Sequence, residues 1–224
     1  LIKKQDIQNK TISVGCWNVN WATSSSKRGK FFQALFNTDL ICVTEGYESL
    51  LPRDGYIIAS QENYGYKTSQ GQRKVILWSK EKWDDIDNIG SIDMPSGRYI
   101  AGTTMGIRFI GVCIPWKMAH VSTGRKDRRQ WEDHLSFINK LSFRNNKFVL
   151  LGDFNQHIPP IKQPSFVSSA LIKKISKLKV ITSGMGLDHI VVSEDLNSSL
   201  VKIISTEGNS DHDGITCRLN FSKR

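Results

Sequence analysis

A chain of 224 residues, 39% hydrophobic and 23% charged, can bury about 70–75% of the surface its unfolded form exposes, enough for one substantial core. No stretch is apolar over the length of a membrane span and the start, Leu1-Ile2-Lys3-Lys4-Gln5, lacks the apolar run of a signal peptide, which argues against a membrane protein and for a cytoplasmic one, although a chain that begins at Leu1 leaves a removed upstream segment open. The net charge of +10 favours a polyanionic partner, nucleic acid ahead of a small phosphate ester, while a basic balance can also serve solubility alone.

Taken in chain order, strand-like runs occur at Thr11 to Trp17, Leu40 to Thr44, Tyr56 to Ala59, Lys74 to Trp78, Arg98 to Thr104, Ile107 to Ile114 and Phe148 to Leu151. Ile190 to Val192, Val201 to Ser205 and Gly214 to Cys217 continue the series. Helical periodicity is confined to patches between them. Lys30 to Phe36 is a weak one. Arg125 to Phe143 is the clearest, with Trp131, Leu135, Ile138 and Leu141 as an apolar stripe to pack on a sheet. Phe166 to Leu178 is the third, with Val167, Leu171, Ile175 and Leu178 at helical spacing. Cys16, Cys42, Cys113 and Cys217 each lie inside an apolar run with no close-spaced pair, which predicts buried, reduced thiols rather than a zinc site or disulfide scaffold. With no internal repeat or low-complexity linker, residues 1–224 are expected to form one α/β domain, two sheets packed face to face with helices outside.

Polar groups gather at the strand ends. Leu150-Leu151-Gly152-Asp153-Phe154-Asn155 delivers an acid and an amide after an apolar strand, a pair able to activate and aim a water molecule, although Gly-Asp there is also ordinary turn chemistry. Asn18 and Asn20 close the first strand and Glu45 the second, whereas Asp188-His189 and Ser210-Asp211-His212 open theirs. Antiparallel neighbours would bring all five ends to one rim. Several carboxylates on one rim repel each other unless a cation sits among them, which predicts a hard, oxygen-preferring ion such as Mg²⁺, with Mn²⁺ able to substitute, and phosphate chemistry.

Trp17-Asn18-Val19-Asn20, Thr44-Glu45, Gly152-Asp153-Phe154-Asn155, Leu187-Asp188-His189 and Ser210-Asp211-His212 resemble, in this order, the signature blocks of the endonuclease/exonuclease/phosphatase superfamily. The resemblance runs from about Ile12 to Leu219. It implies a deoxyribonuclease-I-like four-layer sandwich, which periodicity alone does not single out, and a metal-dependent phosphodiesterase that cuts DNA to 3′-hydroxyl and 5′-phosphate ends. Carried over residue by residue, it makes Glu45 the principal metal ligand, with Asn20 beside it and Asp211 contributing directly or through water. Asn18 would hold the phosphate or Glu45. Asp153 becomes the base for the attacking water, Asn155 its aligner, and His212, oriented by Asp188, the contact to a non-bridging phosphate oxygen. His189, His157, His120 and His134 lack motif support and are left as structural or surface residues.

The pattern departs from the family at three places. Asn20 stands where an acid is common, which leaves a less negative metal site. Cys113 stands where family nucleases carry a Tyr or His that contacts the scissile phosphate, and a thiol is a poor donor. Trp116, Lys117, His120 or an Arg of the loop 123–129, Arg125 and Arg128 among them, would have to substitute, unless that charge run is only a solvated helix start. Only 34 residues separate Asp153 from Asp188, too few for the longer insert of abasic-site endonucleases. The expected substrate surface is therefore an open cleft flanked by Arg73, Lys74, Arg125, Arg128, Lys173, Lys174 and Lys177, with Tyr64, Tyr66 and Trp116 able to stack on bases. Two other readings stay open: a phosphatase or phosphodiesterase for a small or lipid phosphate ester, and a catalytically silent nucleic-acid-binding module. A monomer is the default.

Overall fold

The computed structural model describes residues 9–33, 37–63, 65, 69–91, 93–119, 131–143, 147–208 and 210–222. They form two mixed sheets of six strands with few helices. In the first sheet β1 (Asn9–Asn18), β2 (Leu40–Tyr47), β3 (Tyr56–Ala59), β4 (Gln72–Ser79), β11 (Asn197–Ile204) and β12 (Gly214–Ser222) take the order β11-β12-β1-β2-β4-β3. In the second β5 (Asp84–Asp87), β6 (Tyr99–Thr104), β7 (Ile107–Cys113), β8 (Phe148–Asp153), β9 (Lys179–Val180) and β10 (Asp188–Val192) take the order β5-β6-β7-β8-β10-β9. Strands buried on both faces, such as Leu40 to Val43 and Phe148 to Asp153, read as continuous apolar runs because neither face meets water.

The two sheets repeat one plan. Each has a central parallel pair, β1 with β2 and β8 with β7. Each pair is flanked on one side by an antiparallel strand that enters from the other end, β12 beside β1 and β10 beside β8. On the other side lie β4 beside β2 and β6 beside β7, both antiparallel. This arrangement sends the C-terminal ends of four strands and the N-terminal ends of two to the same edge of each sheet. The inner faces meet in a core of Val14, Cys16, Leu40, Cys42, Val75, Leu77, Phe109, Val149, Leu151 and Ile190. All four cysteines are free and buried there.

Helices α1 (Lys27–Phe32), α2 (Glu132–Lys140) and α3 (Ser165–Ile175) cover the outer faces. Val167, Leu171 and Ile175 of α3 are buried, as their spacing predicts. The α2 stripe differs from expectation. His134, Phe137, Ile138 and Leu141 are buried, while Trp131 and Leu135 are half exposed. Trp131 caps the helix in a left-handed conformation, φ 70°, so the helical phase starts after it and rotates the apolar face. Residues 125–130 of that expected helix, and 34–36 of the first, lie outside the described residues. No helix among the described residues is long and apolar enough to cross a membrane.

Candidate active site across the two sheets

Register decides what meets at the shared edge. Asp153, the last residue of β8, faces Cys113 of β7 on one side and Asp188 of β10 on the other. In the other sheet Asn18 ends β1 opposite Thr44, and Glu45 follows. His212 lies two residues before β12, held by its carbonyl accepting from Trp17 Nε1 at 3.1 Å. The sheets are then joined by polar contacts between positions that correspond in the repeated plan. Asn18 Nδ2 donates to Asp153 Oδ2 at 2.9 Å, and His212 Nδ1 lies 2.5 Å from Asp188 Oδ2.

Gly152 and Asp153 lie within β8 rather than in a turn. Gly152 has φ 133°, and a Cβ there would sit 1.9 Å from the Val112 carbonyl oxygen, so only glycine lets the two strands approach this closely. Asn155 has φ 51°; its backbone N–H donates to Asp153 Oδ1 at 2.8 Å. Its amide donates to Asp153 Oδ2 at 3.0 Å and to the Ile114 carbonyl at 2.8 Å. It is thus a turn former and a holder of Asp153 together.

Burial and the Asp188 charge push Asp153 up to about 7, against the opposing pull of His212, Asn155 and Asn18. Burial works to lower His212, but the hydrogen bond and charge of Asp188, helped by Asp153 and Asp211, outweigh it and push His212 up to about 9. A buried carboxylate that ionises near neutrality and an imidazole that holds its proton beyond it therefore stand together. This combination suits proton transfer and oxyanion stabilisation at once. A cleft of about 250 Å³ lined by Met185, Leu187, Asp188, Ile203, Asp211 and His212 opens beside them. A larger depression, of about 350 Å³ at Asp85, Asp87 and Arg108, lies at the far end of β7 and touches none of these residues.

The residues expected to hold a metal fare differently. Glu45 lies between the paired Thr44–Val75 and Gly46–Arg73 of β2 and β4, which sets it opposite Lys74, and the Lys74 ammonium is ion-paired with its carboxylate. Asn20, φ 45°, is exposed on a tight turn. The Asp211 side chain is 72% exposed, 4.0 Å from His212 Nε2. Among the described residues no group of three or more His, Cys, Asp or Glu is arranged to hold an ion. One carboxylate already carrying an ammonium, with an outward amide and a solvated acid, does not fit a protein-held divalent cation.

Of the expected substrate contacts, Trp116 and Lys117 are exposed just past Ile114, the acceptor of Asn155. Arg125, Arg128, His120, Tyr64 and Tyr66 lie outside the described residues. The expected basic flank divides between two places, with Arg73 and Lys74 opposite Gly46 and Glu45 at the shared edge. Arg73 pairs with Glu48 at 3.1 Å and Glu62 at 2.9 Å, and Lys74 is buried. Lys174 donates to the carbonyls of Asn139 and Leu141, which places the end of α3, with Lys173 and Lys177, towards the N-terminal end of β8, opposite Asp153. Helix α3 leaves the site and runs back along the sheet, carrying its basic end away. Cys113 is 1% exposed, its thiol pushed up by burial. Arg98 reaches it instead, with Nη1 3.8 Å from Sγ and 3.3 Å from the Cys113 carbonyl. The sequence offered no signal for Arg98 or for the Lys74–Glu45 pair, since both are cross-strand partners revealed by register. His189 and His134 are buried structural groups, bonded to Thr182 and the Gln156 carbonyl and to Pro115 and Gln156.

A family model described as the endonuclease/exonuclease/phosphatase family matches residues 15–212. No curated protein matches the chain. Among solved structures, an AP endonuclease from Archaeoglobus fulgidus is similar at TM-score 0.64 and 16% identity, covering 92% of this chain and 98% of that one. The endonuclease domain of TRAS1, a telomere-specific non-LTR retrotransposon, gives TM-score 0.63 and 14% identity over 94% and 98%. A 3′ phosphatase, NExo, from Neisseria, bound to product DNA hairpin, gives 0.61 and 19% over 92% and 98%. At these identities the likeness establishes the shared sandwich fold.

Proposed function

The chain belongs to the endonuclease/exonuclease/phosphatase family, whose members are hydrolases acting on phosphoester bonds, and within it we propose a phosphodiesterase that hydrolyses DNA internally. The observation that carries this reading is the pair of hydrogen-bonded dyads spanning the sheets, Asn18–Asp153 and Asp188–His212. Asp153 takes the proton of the attacking water, held in place by the donors of Asn18 and Asn155. The water oxygen forms the new bond to phosphorus as the bond to the 3′ oxygen breaks. The leaving oxygen takes a proton from solvent water to end as a 3′-hydroxyl and the phosphate stays on the 5′ side. His212, protonated and oriented by Asp188, donates to a non-bridging oxygen where charge accumulates. Trp116 and Lys117, exposed beside Asn155, supply contacts to the strand. The expected Mg²⁺ or Mn²⁺ at Glu45, Asn20 and Asp211 is not carried into any step, because those residues do not fit it.

DNA is favoured by the net charge of +10 and by neighbours named as an AP endonuclease, a retrotransposon endonuclease domain and a 3′ phosphatase bound to a DNA hairpin. Supercoiled plasmid incubated with Mg²⁺, with Mn²⁺ and with EDTA tests it. Nicking that falls by about 10²–10⁴ in folded Asp153→Ala and His212→Ala proteins is expected. Intact plasmid in every arm ends the duplex-endonuclease reading and moves the search to single strands, RNA, abasic DNA and phosphate monoesters.

A further inference from the structure

We propose that the Lys74 ammonium is the resident cation of this site, seated on Glu45 in the place the family resemblance gives to a divalent ion. As a statement about catalysis this rests on the phosphodiesterase reading. Lys74 is held from two directions: the Glu45 carboxylate pairs with its ammonium, and the Trp21 ring lies beneath it, 5.1 Å from Nζ to the centroid. That ring is itself fixed. Trp21 follows Asn20 in a turn with both residues left-handed, its backbone N–H donates to the Glu45 carbonyl at 2.6 Å, and its ring packs edge-on to Tyr47. Lys74 is 8% exposed and the Glu45 side chain 21%, so the ammonium is buried and its carboxylate half-buried.

The cation belongs to the chemistry and not to an outer surface. Lys74 adjoins Val75, the register partner of Thr44, and Thr44 pairs in turn with Asn18, the donor to Asp153, which sets Lys74 at the same edge as Asp153. In the other sheet Arg98, whose carbonyl accepts from the Cys113 N–H at 3.0 Å, faces Cys113, which is the register counterpart of Thr44 and not of Glu45. In the second sheet the facing group is a neutral thiol, and in the first it is the carboxylate a metal would need. A divalent ion entering at Glu45 competes with the ammonium for the same carboxylate, and removing one partner from a largely buried ion pair is costly. Phosphate negative charge then meets a positive side chain already in place.

Mn²⁺ binding to the substrate-free protein, followed by calorimetry and by the electron paramagnetic resonance signal of the free ion, tests this without reference to turnover. Lys74→Met is expected to bind Mn²⁺ at least tenfold more tightly than wild type, because Glu45 is left uncompensated. The gain should vanish in Lys74→Met with Glu45→Gln, and Lys74→Arg should stay as weak as wild type. Binding by Lys74→Met within twofold of wild type overturns the proposal. Should Lys74→Met not fold, the wild type decides. Micromolar Mn²⁺ binding that Glu45→Gln abolishes overturns it, and binding no tighter than millimolar supports it. An intact plasmid in the nicking assay would remove the phosphodiesterase reading and leave these binding results standing.

Discussion

In the proposed mechanism Asp153 and His212 divide the acid and base work because each is surrounded on several sides by groups of known sign. Asp153 faces Asn18, Asn155, Asp188 and His212; His212 faces Asp188, Asp153 and Asp211. That mechanism requires Asp153 without its proton and His212 with one. Turnover should therefore rise as Asp153 ionises near 7 and fall as His212 deprotonates near 9. Asp188 is the common cause, since its charge raises both. Asp188→Asn should shift both limbs of the kcat/KM profile to lower pH, besides lowering the rate through a less firmly oriented imidazole. Asp188 Oδ1 is buried without a hydrogen-bond partner among the described residues, so the amide has a position to occupy. An acid limb that stays in place in this variant would contradict the charge coupling across the β8–β10 pair.

Strand β8 carries both the site and the constraint that places it. Val112 and Gly152 are register partners, and the close approach at Gly152 sets where Asp153 leaves the sheet. Gly152→Ala adds a Cβ 1.9 Å from a backbone oxygen at φ 133°, and the strands must part. The cost should be on the order of 3 kcal/mol, a melting temperature lower by about 6–12 °C. Activity should fall beyond what unfolding explains, because Asp153 moves with its strand; melting curves and turnover well below the transition separate the two effects. Ten of the twelve strands among the described residues were legible, most because burial on both faces writes a continuous apolar run, and the largely exposed edge strands β3 and β11 through their β-branched and aromatic residues. The two that were not are β5, the acidic exposed Asp84–Asp87, and β9, two residues long. Both are edge strands whose pairing owes little to burial. The ends of β1, β8, β10 and β12 were legible as a site because polar residues terminate apolar runs there. The role proposed for Lys74 was not, since only the β2–β4 register shows that it faces Glu45.

The molecule as a whole carries a net charge of +10 although its site gathers Glu45, Asp153, Asp188 and Asp211. Part of its positive charge is tied up internally, as in Arg73 with Glu48 and Glu62, Lys80 with Asp39 and Arg108 with Asp85. The excess must act at the level of the whole surface, drawing a polyanion towards an edge that is locally acidic. A long nucleic acid releases counterions from each phosphate the protein neutralises, with a slope of about −0.9 per contact in log affinity against log salt. A small phosphate ester cannot, because it offers one phosphate. Binding of a catalytically impaired Asp153→Ala protein to duplex DNA, measured by fluorescence anisotropy over a salt series, should therefore show a linear log–log fall corresponding to several phosphate contacts. A slope near one contact, with undiminished hydrolysis of small esters, would transfer the assignment to the phosphatase branch of the family, where the same Asp153–His212 pair would act on a substrate held by its single phosphate.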